Sequence, residues 1–484
     1  MNRANALPSR IAADSEVGEA DSPGLAGPGL PESRRGIVRK VVGLAVPVVV
    51  EQALLYLVGL SDTLLTGRYL SEDYLAGVTV ASYLLWVVGS LLTIVSVGAT
   101  ALVARLTGMG DRAAAARIAA GSVGLALVLG TAIWIAAGLG APAIVRAMNL
   151  EGVAAESAAL FLRVVLLSAP LLACTTAGVA CLRGVGDTRT GMWVMILVNL
   201  VNIGLSWGLV AGVGPLPKLG FAGIAAGTAC AEAIGGLVVL AILARGRSGL
   251  MISARSVIPR RADVGRILRI SLPAAGESLT NSGCQLWFLG LINRLGPTAT
   301  AAHGVAIRCE SLAFLTISAF SVAASTLTGQ YLGAGRPDLA RRAARISWAI
   351  GAAVLSAIGV WLFVGAGWFF ELFLGGNKPG VAAEGVPVLR IVAFAMPALA
   401  TINVLNGALR GAGDTRWPWA IVLFGYLAVR MPLTYALVAP AGPVGEGYGL
   451  GLRGAWVAML ADLVIRGILV AARFHQGGWS RVRV

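Results

Sequence analysis

Six carboxylates lie inside long apolar stretches of this 484-residue chain: Glu51, Asp62, Glu232, Glu277, Glu310 and Asp462. An ionised acid at bilayer depth costs roughly 2.5 to 3.5 kcal/mol on insertion scales, so each one requires a structural partner or a function. Asp62 leads the set. An acid at such a place can exchange a proton or bind sodium, and the charge of its site then changes; the alternative is a wetted, structural acid near the outer end of its helix. Glu51 precedes Asp62 by eleven residues, which at 100° per residue puts the two within about 20° on one face and about 16 Å apart along the axis. Glu51 recurs as Glu277 in the second half, whereas Phe288 stands at the counterpart of Asp62. The repeated acid is therefore read as holding helix ends in both halves, with a shared path beside Asp62 as the alternative. Asp462 and Arg466 are spaced i, i+4 and can satisfy each other. Cys174, Cys181, Cys230, Cys284 and Cys309 show neither zinc nor disulfide spacing. No metal and no cofactor is expected beyond a coupling ion.

The elements that must position these acids are membrane helices. Hydrophobic residues make up 57% of the chain, charged residues 13%, and mean hydropathy is +0.81, far from the roughly 25% charged of a soluble domain. Apolar runs between charged or Gly/Pro-rich breaks predict spans near 41–67, 78–104, 115–139, 156–182, 190–212 and 220–244. Six more fall near 267–293, 300–329, 343–374, 387–409, 417–440 and 451–472. The fold class is an all-α integral membrane protein of twelve transmembrane helices. The formal net charge of +15 is concentrated in alternate loops, among them Arg34 to Lys40 and Arg245 to Arg269. That is the positive-inside pattern, which predicts cytoplasmic termini and no nucleic-acid partner.

The two halves are copies. Leu182-Arg183-Gly184-Val185-Gly186-Asp187-Thr188-Arg189 recurs as Leu409-Arg410-Gly411-Ala412-Gly413-Asp414-Thr415-Arg416, displaced by 227 residues. Pro47 and Glu51 recur as Pro273 and Glu277, Pro170 as Pro397, and Gly108-Met109-Gly110 as Gly333-Ala334-Gly335. Six spans per copy make this a parallel repeat, with two lobes facing each other across a central cavity. The expected organisation is a disordered tail over 1–36, a first lobe over 37–246, a basic linker over 247–266, a second lobe over 267–475 and a short tail over 476–484. Pro47 and Pro273 each remove a helical hydrogen bond and are expected to bend their helices, as a switch or as a static kink.

On the doubled octapeptide, the Pro47 to Asp62 stretch with Gly67, the Gly-x-Gly turns and Arg430-Met431-Pro432-Leu433, residues 37–475 resemble the multidrug and toxic compound extrusion (MATE) family of antiporters. The resemblance implies two lobes forming a V and export of small organic compounds, cationic or amphipathic and drug-like, driven by H⁺ or Na⁺. It implies that Asp62 is the coupling acid, with Asn202 in the fifth span sharing the cation site. Where the family often has an Asp one turn after that Asn, this chain has Ser206; the departure removes a carboxylate neighbour, weakens a multi-carboxylate sodium site and favours protons or a different site. Asn199 lies beside Asn202, and both also read as interhelical hydrogen-bond glue. A monomer in the bacterial plasma (inner) membrane, in contact with lipid, is expected. The alternatives are a flippase for lipid-linked sugars, which calls for a strongly cationic cavity, and a membrane prenyl-transfer enzyme, which calls for clustered acids.

Overall fold

The computed structural model describes residues 30–148, 151–253, 256–376, 378–438 and 448–482. The first lobe holds α1 (Arg34–Tyr69), α2 (Glu72–Gly108), α3 (Arg112–Ala147), α4 (Gly152–Leu166), α5 (Ala169–Val185), α6 (Thr188–Ala211) and α7 (Phe221–Ala244). The second holds α8 (Arg261–Asn293), α9 (Pro297–Gly333), α10 (Pro337–Val364), α11 (Ala366–Leu374), α12 (Pro379–Gly411), α13 (Arg416–Phe424), α14 (Met431–Val438) and α15 (Gly451–Gln476). Three spans are broken. α4 and α5 meet at a 56° bend, α10 and α11 at Gly365, and α13 joins α14 through a π-helical turn, Gly425–Arg430. With each broken pair taken as one span, the described helices make twelve, six to a lobe.

Ten of these helices are long and apolar enough to cross a membrane, and the bent α4–α5 pair makes eleven. The remaining one, α8, has 33 residues but carries Arg266, Arg269, Glu277 and Gln285 along its length. Glu277 is buried against Arg410, whereas Arg269 and Gln285 remain exposed, so polar residues interrupt the apolar run of this helix.

The repeated motifs are helix terminators. Gly186 and Gly413 adopt φ of 91° and 86°, left-handed values that glycine reaches without Cβ strain. Behind them Asp187 N bonds to Leu182 O at 2.8 Å and Asp414 N to Leu409 O at 2.9 Å, closing the orphan carbonyls of α5 and α12. Asp187 then caps α6, accepting from Thr190 N at 3.1 Å. Burial pushes its carboxyl up, but bonds from Thr190, Ser248 and Arg247 together outweigh this and hold it below the usual carboxylate range.

α1 and α8 exchange halves between the lobes. Ile37, Val41, Leu44 and Val48 of α1 belong to the apolar core of the second lobe, whereas Leu54 and Val58 pack on the core of the first. Ile267 and Ile270 of α8 lie in the first lobe's core, and Phe288 and Ile292 in the second's. The helices are continuous through Pro47 and Pro273, and in α1 Pro47 falls where the packing changes lobe.

The lobes press together on the side of the basic loops. A Cβ on Gly108 would stand 1.9 Å from Gln330 O, and one on Gly333 1.9 Å from Arg105 O, so the repeated Gly-x-Gly turns bring two backbones into contact. Thr326 Oγ1 donates to Arg183 O at 3.0 Å and Gln330 Nε2 to Gly184 O at 2.8 Å across the same seam.

The described part of the N-terminal tail, the linker and the C-terminal tail make contacts with the lobes. Glu32 pairs with Arg336 of the second lobe at 2.9 Å, and Arg105 of the first lobe donates to Val482 O at 2.8 Å. Leu250 and Ile252 of the linker are buried against the first lobe, and α8 begins at Arg261, ahead of the expected 267. Trp479, in the tail placed at 476–484, is fully buried and stacks on Phe474 at 5.1 Å. Aromatic and apolar burial outweighs the polar composition of these short stretches. Residues 1–29 of the expected tail lie outside the described residues.

Gly333→Val should wedge the seam open. Overpacking of this kind costs about 1–3 kcal/mol, so the melting temperature in detergent is expected to fall by several degrees, and an unchanged value would show that the lobes part freely.

Candidate functional site

Three helices of the first lobe converge on Asp62, which is 4% exposed. Its Oδ2 accepts from Thr228 Oγ1 of α7 at 2.8 Å, and its Oδ1 accepts from Asn202 Nδ2 of α6 at 3.2 Å. Asn202 Nδ2 also donates to Thr228 Oγ1 at 2.9 Å, and its Oδ1 accepts from Ser61 Oγ at 2.7 Å. Ser206 Oγ stands 3.5 Å from Asn202 Nδ2, at the edge of hydrogen-bond range. Asn202 and Ser206 are fully buried. A Cβ on Gly227 would collide with Ser206 Oγ at 2.3 Å, so glycine there is what lets α7 bring Thr228 against α6.

Asp62, Asn202 and Ser206 are thus brought together, and Asn199 is not. One turn further toward the basic side, Asn199 donates to Met195 O of its own helix at 2.9 Å and stays outside the cluster. Thr228 is the group that the sequence reading missed. Its signal was slight: with Glu232 at i+4 it forms the polar pair in the Ala- and Gly-rich α7. Glu232 accepts from Ser168 Oγ at 2.6 Å, where α4 gives way to α5.

Three other intramembrane acids, Glu51, Glu277 and Asp462, have arginine partners. Glu51 Oε1 meets Arg183 at 2.7 Å and Glu277 Oε1 meets Arg410 at 2.7 Å, so each first-helix acid holds the arginine of its own lobe's octapeptide. Asp462 Oδ2 takes Arg430 at 2.9 Å and Arg466 at 2.7 Å, all three nearly inaccessible. Both guanidiniums lie over the ring of Tyr426, at 4.8 and 4.7 Å. Gly425 opens the π turn because a Cβ there would stand 2.4 Å from Asp462 Oδ1. Phe288, at the counterpart of Asp62, packs against His303 and Trp456 at 5.8 and 6.4 Å.

Asp62 therefore differs from Glu51, Glu277 and Asp462 in kind. Every hydrogen bond that the described residues give its carboxylate comes from a neutral group. A carboxylate without a fixed counter-charge is chemically able to take a mobile cation in its place.

Two facing bundles of six spans, with an ionisable site inside one of them, define a membrane transporter. The MatE family model matches residues 47–207 and 273–436, once in each lobe, and the chain belongs to that family. The chain is 30% identical to the "Probable multidrug resistance protein NorM" of Thermotoga maritima, over 93% of this chain and 94% of that one. It is 26% identical to the "Uncharacterized transporter YisQ" of Bacillus subtilis over 90% and 93%. Among solved structures, an outward-facing multidrug resistance MATE family transporter superposes with a TM-score of 0.83 at 21% identity, covering 91% of this chain and 97% of that one. A MATE in complex with MaL6 gives 0.82 at 22%, over the same shares. At these identities the superpositions establish the fold.

The two kinds of acid should separate on substitution. Asp62→Asn keeps shape and neutral partners, so its melting temperature and elution profile are expected to match the parent. Asp462→Asn leaves two buried guanidiniums without a counter-charge, a loss of about 3–5 kcal/mol, and should sharply reduce the yield of folded protein. Equal yields of the two variants would contradict the distinction.

Proposed function

We propose that this transporter exports small organic, drug-like compounds in exchange for H⁺ or Na⁺ by alternating access, with Asp62 as the coupling acid. The observation that carries the reading is the wholly neutral donor set around a buried carboxylate. The names of the NorM relatives, which describe multidrug resistance proteins, point to the class of cargo. The basic-loop side is taken as cytoplasmic and the membrane as the bacterial inner membrane, from the distribution of Lys and Arg.

The geometry suits a proton. Thr228 Oγ1 donates to Asp62 Oδ2, and it also lies 3.2 Å from Ile224 O. When a proton arrives on Oδ2, the hydroxyl rotates to donate to Ile224 O and accepts from the new Asp62 O–H. Its second lone pair continues to accept from Asn202 Nδ2. One bond rotation thus satisfies both protonation states. Sodium at the same carboxylate would need Asn202 to turn its amide oxygen inward and release Ser61, a larger rearrangement. Proton uptake removes the negative charge that orders Ser61, Asn202 and Thr228 around α1. The outer half of α1 can then shift against α6 and α7 while its basic half stays seated in the second lobe, with Pro47 as the point of flexure.

The experiment is efflux of a fluorescent cationic dye from proteoliposomes under an imposed pH gradient and then a sodium gradient. Dye movement under the pH gradient is expected, abolished in Asp62→Asn and reduced in Thr228→Val. Retained efflux in Asp62→Asn would remove Asp62 from coupling. No movement under either gradient, with the protein shown to be folded, would favour transport of lipid-linked sugars.

A further inference from the structure

On the basic-loop side of the second lobe, the start of α1, the first turns of α10, the last turns of α12 and the end of α15 enclose a groove of about 470 Å³. Arg34, Arg342 and Arg345 rim it, Trp348, Leu405 and Phe474 are among its apolar lining, and no acidic side chain lines it. Neighbouring basic residues are engaged: Arg336 with Glu32 and Asp338, and Arg473 with Asp414. No carboxylate among the described residues lies within ion-pair distance of the three rim arginines, which are exposed.

The groove has the shape of an amphiphile. Arg342, Arg345, Trp348 and Ala349 form one exposed stripe of α10, spaced i, i+3, i+6, i+7. At 1.5 Å per residue the stripe runs from about 8 Å to about 18 Å below the start of the helix. Charge is at the top and apolar surface below. Trp348, 38% exposed and bonded through Nε1 to Thr401 Oγ1 at 3.0 Å, is a rigid aromatic of the type that sits at the headgroup level. Guanidinium forks match phosphodiester oxygens in geometry and charge, and basic pockets between membrane helices suit anionic headgroups.

We infer that this groove binds an anionic phospholipid of the adjoining leaflet, its phosphodiester on Arg34, Arg342 and Arg345 and an acyl chain along Trp348 and Leu405. Arg34 is the first residue of α1, whose basic half is seated in the second lobe. The bound lipid therefore ties the start of α1 to α10 and α15 on the side where the lobes are closed.

The test uses the full chain in nanodiscs of phosphatidylcholine alone or with a minor fraction of phosphatidylglycerol, read by melting temperature and by lipid retained in native mass spectrometry. Phosphatidylglycerol should raise the melting temperature of the parent by several degrees and be retained. In R342Q/R345Q most of that gain should disappear and retention should weaken on the order of tenfold, with the melting temperature in phosphatidylcholine unchanged. R260Q/R261Q, which removes equal charge from the same side outside the groove, should keep the gain. The inference is overturned if the groove variant keeps the gain, if both variants lose it equally, or if the parent shows none. A matching shift with inorganic phosphate would assign the site to a free anion and would likewise overturn it. Should R342Q/R345Q fold poorly, Arg34→Gln alone must lower lipid retention, and unchanged retention would count against the proposal.

Discussion

A bilayer offers no water to a buried charge, so every ionised side chain within this bundle must find its partner inside the protein. At Asp462 and Glu277 the second lobe meets that condition with covalently fixed cations. Asp462 lies between Arg430 and Arg466, and Glu277 is held by Arg410. The first lobe follows the same rule at Glu51 and departs from it at Glu232, which accepts from the Ser168 hydroxyl, and at the more deeply buried Asp62, whose partners are an amide and a hydroxyl. The two halves of the repeat are thus unequal at this place, where Phe288 stands opposite Asp62. One lobe carries a locked charge network beneath a π-helical turn, and the other carries an acid that a mobile ion can neutralise. The packing of α6 and α7 around Asp62, down to the glycine that lets Thr228 approach, serves that one group.

The exchange of α1 and α8 between the lobes connects this site to the rest of the molecule. The basic half of α1 is anchored in the second lobe and its outer half carries Asp62 in the first, so Asp62 stands on a helix that belongs to both bodies. The Gly108 and Gly333 backbones in contact and the bonds from Thr326 and Gln330 close the basic side. The segments before α1 and after α15 add an ion pair from Glu32 to Arg336 and a hydrogen bond from Arg105 to Val482 O.

The chain by itself determined the class, the twelve spans, the parallel repeat and the acids that needed an explanation, because apolar length, charge asymmetry and internal duplication are local or periodic properties. It also marked Asp62, Asn202 and Ser206. It did not separate Asn199 from Asn202, since both are polar residues within one turn and only the neighbouring helix decides which is met. Thr228 lies 166 residues beyond Asp62, in a helix of small residues, and nothing in the sequence links the two. The arginines that hold Glu51 and Glu277 stood in view within the octapeptides, unassigned to those acids. The division into lobes at 37 and 267 was drawn along the chain, whereas packing carries the first half of α1 and of α8 into the opposite lobe. Which residues are polar and how often they recur is written in the sequence; which of them touch is decided where helices far apart in the chain bury their faces against one another.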